Sequence, residues 1–475
     1  QLARLDEGHG RRHVVKNDRH LTGHRVVERW ARTAVRDVGD EHPGQTFPEF
    51  GLQVTDAATV TQLNTIDLAT SGVVTATISG YAADLVNLRP SGNNNYTITV
   101  SGTATLSQLA DIQRSTSGVI TASVADTAEN LVGLTGVNQY ALTVSNSASV
   151  AQLTTIASKT TGTLTYGTVR DTAAALASAA SNGLFVKGSH PVEVTDTPTV
   201  AQLNSIDSAT DGTIKATISG TASSLAALNG SNNDYTITVT GVSTIDQLSK
   251  IDAATSNVFT FGAISDTGSN LDADAQQNEG KGMYLPLANS VTVTSGATVD
   301  YLNSVLSVIK PNVNVVASVS STASDLVRLS GTDMDYTINV TSGATVQLLN
   351  QIDAITRGVV TAQVSSTAED LVGLTGVNDY AITVSNPATL GQLASIKSHT
   401  NGSLTYGAVR DVVSNLTADA ALNAGKGNYV TGNHAIQVQD SASVSDLNIL
   451  DAVTTGVISA SVSDTAEQLS GLTGT

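Results

Sequence analysis

The chain has no cysteine, so neither disulfides nor thiolate metal sites can hold it together. Aromatic residues make up only 4% of its 475 residues, while hydrophobic residues make up 40%. Any core must therefore be built as thin layers of Val, Ile, Leu and Ala rather than as one globule around large rings. Charge is scarce as well, at 13%, and acidic residues outnumber basic ones 41 to 23. The net charge of -18 and pI near 4.6 repel phosphate backbones, so no nucleic acid partner is expected. No apolar run approaches the ~18 residues of a membrane helix, so no membrane span is expected, and no signal peptide pattern follows Gln1. What fills the chain instead is Ser, Thr, Asn and Gly, a hydroxyl- and amide-rich exterior of the kind common in secreted bacterial proteins.

Residues 1–49 differ from the rest. They hold Trp30, the only tryptophan, and five of the eight histidines (His9, His13, His20, His24, His42) in an Arg-rich, Thr-poor context. His9/His13 and His20/His24 are each four apart, on one face of any helix, but the glutamate of an HExxH site is missing and no metal is assigned there. This stretch is read as a non-repeat segment, disordered or separate.

From Phe50 to Thr475 a pattern recurs. A strand-like segment ends on Val54, Val100, Val144, Val194, Val239, Val293, Val340, Val384 and Val438, with apolar residues two and four positions earlier on the same strand face, as in Tyr96-Ile98-Val100. A triplet at spacing three follows each one: Val60/Leu63/Ile66, Leu106/Leu109/Ile112, Val150/Leu153/Ile156, and so on to Val444/Leu447/Leu450. That spacing predicts a helix of two or three turns with one buried stripe, too short to persist undocked. Next comes a second strand with a small central residue, as in Val74-Ala76-Ile78 and Val360-Ala362-Val364, and then a second short helix, as in Leu371/Leu374.

Strand, helix, strand and helix thus fill about 46 residues, in two half-units of about 23, within the range of leucine-rich-type solenoid turns. Strands joined through helices are normally parallel with right-handed crossovers. The expected fold is α/β: a right-handed β-α-β-α tandem-repeat solenoid of nine units over residues 50–475, the last incomplete. It has a continuous parallel sheet and short helices, and is ~85 Å long at ~4.8 Å per strand. A longer repeat of 240 residues relates Thr135 onward to Thr375 onward. The missing polar cap after Leu472 predicts a fragment of a longer array, or end-to-end self-association.

Several constellations invite chemistry, each with a structural reading beside it. Asp126-Thr127-Ala128-Glu129, Ser366-Thr367-Ala368-Glu369 and Asp464-Thr465-Ala466-Glu467 read as capping boxes at the second helix. Asp67, Asp207, Asp252, Asp353 and Asp451 form a column at the end of the first helix, read as a solvated row, with a Ca²⁺ ladder as the alternative. Phe50, Tyr96, Tyr140, His190, Tyr235, Asn289, Tyr336, Tyr380 and His434 share the strand-start position, read as a packed aromatic ladder, with carbohydrate stacking as the alternative.

Three longer units share an altered second strand, Leu164-Thr165-Tyr166-Gly167, Phe259-Thr260-Phe261-Gly262 and Leu404-Thr405-Tyr406-Gly407, whose glycine predicts a bulge or close backbone approach. Two carry insertions, Asn278-Glu279-Gly280-Lys281-Gly282-Met283-Tyr284 and Asn423-Ala424-Gly425-Lys426-Gly427-Asn428-Tyr429. Their Gly-Lys-Gly lacks the spacing of a phosphate loop and reads as a turn. Matches to the N-glycosylation pattern, such as Asn339-Val340-Thr341, are expected by chance in so Thr-rich a chain.

The phrase Val462-Ser463-Asp464-Thr465-Ala466, recurring as I/V-S-D-T-A-x-x-L, resembles repeat modules of very large bacterial secreted and cell-surface proteins, adhesin-like and RTX-associated chains among them. The resemblance implies export, attachment or surface-layer work. The expected function is a non-catalytic extracellular structural or adhesive scaffold that meets a protein or polysaccharide partner through its sheet edge or inserted loops. The alternative is a carbohydrate-binding or carbohydrate-active protein on the same scaffold. An active site would break the repeat with unpaired Asp, Glu or His, and no such break is read. No catalytic, cofactor-binding or metal residue is assigned, and no cofactor beyond the Ca²⁺ alternative.

Overall fold

The computed structural model describes residues 51–472, except residues 92 and 232. The expectations for residues 1–49 and for Phe50 lie outside the described residues. Short helices alternate with strands, and every strand pair among the described residues is parallel. No helix among the described residues is long and apolar enough to cross a membrane. The chain divides into two compact units, Gln1–Thr217 and Ile218–Thr475.

In the first unit a six-stranded sheet takes its strands in chain order: β1 (Leu52–Gln53), β2 (Val74–Tyr81), β3 (Asn95–Thr103), β4 (Ile120–Asp126), β5 (Gln139–Val144) and β6 (Leu164–Thr165). A further sheet begins with β7 (Val169–Asp171) and β8 (Val192–Val194), and β8 pairs with the start of β9 (Ile214–Thr221). The second unit includes β10 (Asp234–Thr240). Its eight-stranded sheet comprises β11 (Val242–Ser243), β12 (Ala263–Asp266), β13 (Ser290–Val293), β14 (Asn314–Ser321), β15 (Asp335–Val340), β16 (Val360–Ser366), β17 (Asp379–Val384) and β18 (Leu404–Tyr406). Then β19 (Ala408–Asp411), β20 (Ala435–Ala442) and β21 (Ile458–Val462) form a three-stranded sheet.

The parallel α/β class is as expected, and the ladder is interrupted at the altered strands, where single parallel bridges, Ala148↔Val169 and Ala388↔Val409, carry the pairing on. β6 pairs backward through Leu142↔Leu164 and β7 forward through Val169↔Val192; β18 and β19 repeat this with Ile382↔Leu404 and Ala408↔Ala435. Gly167 and Gly407 lie at these steps, and a Cβ at either would meet nothing within 4 Å. The glycine therefore lies in a one-residue register shift, Thr143↔Thr165 against Ala148↔Val169 and Val384↔Tyr406 against Ala388↔Val409, which is the bulge expected from sequence rather than the close approach.

The helices follow their apolar stripe. In all nine first helices the second and third members of the triplet are buried. Seven of these helices begin with a capping box, as at Thr59/Gln62 and Ser149/Gln152. Most second helices are a single turn, such as Ala82–Leu85 and Ala368–Leu371. After the altered strands they lengthen to Ala173–Ser181, Gly268–Ala275 and Val413–Ala420.

The small central residue of the second strand has a direct cause. The register sets Ala76 beside Tyr96, Ala122 beside Tyr140, Ala317 beside Tyr336 and Ala362 beside Tyr380. Each of these tyrosines is at most 1% exposed. A methyl group on one strand leaves the room that a buried ring on the next requires.

Candidate functional site

The most frequent polar device is a threonine followed two residues later by glycine. Thr356 Oγ1 accepts from the Tyr336 N–H (2.9 Å) and the Gly358 N–H (2.9 Å), and donates between the carbonyls of Tyr336 (2.8 Å) and Met334 (2.9 Å). Thr116 and Thr160 grip Tyr96 and Tyr140 in the same way, and Thr255 grips Tyr235. Thr210 and Thr454 hold the carbonyls of His190 and His434. At Gly118, Gly162, Gly358 and Gly402 a Cβ would overlap the tyrosine carbonyl oxygen, so at these four positions the backbone as it stands has no room for a side chain. Asn257 stands at that position in one segment, and its side chain reaches Asp234 (2.5 Å). Sequence reading missed this clamp, although Thr-x-Gly was there to be found.

Helix starts are tied to the segment that follows. Asp171, Asp266, Asp411 and Asp464 accept the first helical N–H of the preceding first helix, at Val150 (3.1 Å), Ile245 (2.9 Å), Leu390 (3.0 Å) and Val444 (3.1 Å). With the other oxygen each accepts the N–H of the residue after it. Second helices are served alike: Ala128 N–H donates to Asn146, Ala173 to Asp196, Ala368 to Asn386 and Val413 to Asp440. These side chains satisfy donors that a helix cannot satisfy itself.

The expected capping boxes at the second helix are displaced by one residue. The N-cap is Thr127 or Thr367, so Glu129 and Glu369 fall at the second helical position and not at the third, where a capping box needs them. They reach forward instead: Glu129 accepts from Asn146 (2.9 Å) and Gln152 (3.1 Å), Glu369 from Asn386 (2.8 Å) and Gln392 (3.2 Å). Both carboxyls are held below their usual pKa by a bond from their own backbone N–H first, then by these amides.

The aspartate column is occupied by amides and hydroxyls. Asp67 accepts from Asn94 (2.8 Å) and pairs with Arg89 (3.4 Å), while Asp353 accepts from Asn378 (2.7 Å) and Thr375 (3.2 Å). Asp252 accepts from the Tyr284 hydroxyl at 3.4 Å, Asp207 is engaged too, and Asp451 ends its helix. Among the described residues no three His, Cys, Asp or Glu side chains gather as a metal site.

The aromatic column is not a ladder. Its buried tyrosines alternate with alanine strands, and none of Tyr96, Tyr140, Tyr336 or Tyr380 has a ring partner among the described residues. Buried at this level they offer no face to a sugar, which removes carbohydrate stacking on them. Histidine takes the position where the preceding strand brings its own ring: Tyr166 stacks on His190 at 4.1 Å and Tyr406 on His434 at 3.9 Å. Burial pushes the phenols up, those of Tyr140, Tyr284 and Tyr406 to about 12 and those of Tyr96, Tyr336 and Tyr380 beyond.

The two insertions are more than plain turns. Asn278, Glu279 and Gly280 in one, and Asn423, Ala424 and Gly425 in the other, take three successive left-handed conformations. Such backbone persists only where its surroundings enforce it. Here a buried carboxylate does so. Asp274 accepts from Tyr284 and Leu285, and Asp419 from Asn428 (3.2 Å), Tyr429 (2.8 Å) and Val430 (3.0 Å). The loop tips, including Lys281 and Lys426, are exposed.

One stretch departs from all of these devices at once. In the segment starting at Asn289, Lys310-Pro311-Asn312 stands where Thr-x-Gly would clamp. Leu306 occupies the column position of Asp353, and Met334 that of Asn378. The geometry agrees. A Cβ on Gly376 would run into the Asp353 carboxylate, whereas one on Gly331 would meet Leu306 at 3.3 Å and Met334 at 3.5 Å. A cleft of about 350 Å³ opens there, lined by Leu306, Ile309, Lys310, Val313 and Met334 among others. No such break was expected from the sequence, because only unpaired Asp, Glu or His were sought.

No family model and no curated protein matches the chain.

Proposed function

We propose that this chain is a non-catalytic, extracellular structural or adhesive scaffold, its segments stacked as a right-handed tandem-repeat solenoid. The observation that carries the reading is the use made of polar side chains. The recurring Thr, Asp, Asn and Glu groups are spent on backbone or amide groups of a neighbouring segment, as Thr356 is on Tyr336 and Asp411 on Leu390. Such a chemistry lengthens a structure by adding neighbours, each needing only the next. The acidic, hydroxyl-rich exterior fits a cell-surface setting, and partners of protein or polysaccharide nature would meet the exposed loop tips around Lys281 and Lys426 or an open sheet edge.

Antibodies raised against the region after residue 50 test the location. Labelling of intact cells of the source organism is the expected result; antigen found only after lysis would overturn the surface role.

A further inference from the structure

An asparagine or aspartate followed by glycine is open to attack on its own side chain, because glycine puts no Cβ beside the attacking backbone nitrogen. Four such pairs occur in the chain: Asn182-Gly183, Asp211-Gly212, Asn229-Gly230 and Asn401-Gly402. The glycine nitrogen attacks only after giving up its proton, so any hydrogen bond that its N–H makes must break first. Three of the four are held in this way. Gly402 N–H donates to the Thr400 hydroxyl (2.9 Å), Gly212 N–H to the Thr210 hydroxyl (3.0 Å) and Gly183 N–H to the Ala180 carbonyl (3.1 Å). The Asn182 amide is itself tied, donating to the Ser178 carbonyl (2.8 Å). Gly230 differs, for its N–H has no hydrogen-bond partner among the described residues. Asn229 and Gly230 are both exposed, and Gly230 takes a left-handed φ of 78° in the connection from the helix Ala222–Leu225 to β10.

We propose that Asn229 is a site of spontaneous deamidation, and that the threonine clamp protects Asn401 from the same reaction. The deprotonated Gly230 nitrogen forms a bond to the Asn229 side-chain carbonyl carbon. The side-chain nitrogen leaves as ammonia, and a succinimide ring remains. Water then opens the ring at either carbonyl, giving aspartate or isoaspartate, with no oxidant or cofactor consumed. Either product adds a negative charge to a chain already at -18. Isoaspartate also lengthens the main chain by a methylene between the helix and β10.

Ageing of the full chain at mildly alkaline pH, followed by peptide mapping, tests this. In the folded protein Asn229 should convert at least about fivefold faster than Asn182 or Asn401, the factor that one hydrogen bond is worth. In urea, where those bonds are gone, the three Asn-Gly pairs should convert at similar rates. Hydroxylamine, which cleaves a succinimide, should cut the folded chain between residues 229 and 230. Thr400→Val removes the acceptor from the Gly402 N–H and should bring Asn401 toward the rate of Asn229. Equal rates at Asn229 and Asn401 in the folded parent would overturn the proposal, and conversion without the hydroxylamine cut would overturn the succinimide route. A Thr400→Val chain that stays folded and leaves Asn401 as slow as in the parent would overturn the protective role of the clamp.

Discussion

Single residues show most plainly what the fold demands. The Thr356 hydroxyl serves two N–H groups and two carbonyls, and valine would replace it with almost no change of shape. Thr356→Val should therefore lower stability by about 2 kcal/mol through the stranded donors alone, seen as a lower urea midpoint at unchanged slope. Gly358→Ala should cost about as much for a steric reason, since its methyl would overlap the Tyr336 carbonyl.

The tyrosines make a pH prediction. Their folded-state pKa is raised, so the stability they contribute is complete below the unfolded value of about 10 and is lost as pH rises through the folded one. For Tyr140, Tyr284 and Tyr406 that folded value is about 12. Absorbance at the tyrosinate band should lag behind free tyrosine above pH 10 and rise together with unfolding. A full titration in the still-folded chain would contradict the burial. At this scale the sequence was only half legible. The Tyr and Ala positions stood out because strand alternation exposes them. The Thr clamp did not, because its partners lie about 20 residues away and threonine is everywhere in the chain.

At the scale of elements, two glycines of similar sequence context should behave oppositely. Gly407 lies at the step between β18 and β19 with open space where a Cβ would stand, so Gly407→Ala should change stability by less than about 0.5 kcal/mol. The same substitution at Gly358 is the costly one above. The insertions give a second contrast. Asp419→Ala would strand three N–H groups, that of Val430 buried and those of Asn428 and Tyr429 part-buried, and cleavage within residues 423–428 by a nonspecific protease should rise at least tenfold; Asp419→Asn, which keeps an acceptor oxygen, should stay closer to the parent. Helices and parallel pairing were readable from apolar spacing, and the choice between bulge and close approach at the altered strands was not. A glycine in a strand marks irregularity without saying whether the chain bulges or another backbone comes close.

At the scale of the whole molecule, the account rests on neighbours. Helix starts and strand edges in most segments are completed by side chains one segment away, so stability should be coupled locally rather than across the chain. The departure at Leu306, Lys310 and Met334 was invisible to a search for reactive groups because it is a loss of polarity. It becomes visible only when Gly331 and Gly376 are compared in space. Native-state hydrogen exchange of Thr356→Val tests the central claim most directly. The account predicts faster exchange in β14, β15 and β16, and little change in β5, which carries its own clamp at Thr160. Equal acceleration in β5, or acceleration confined to the Tyr336 amide, would contradict it.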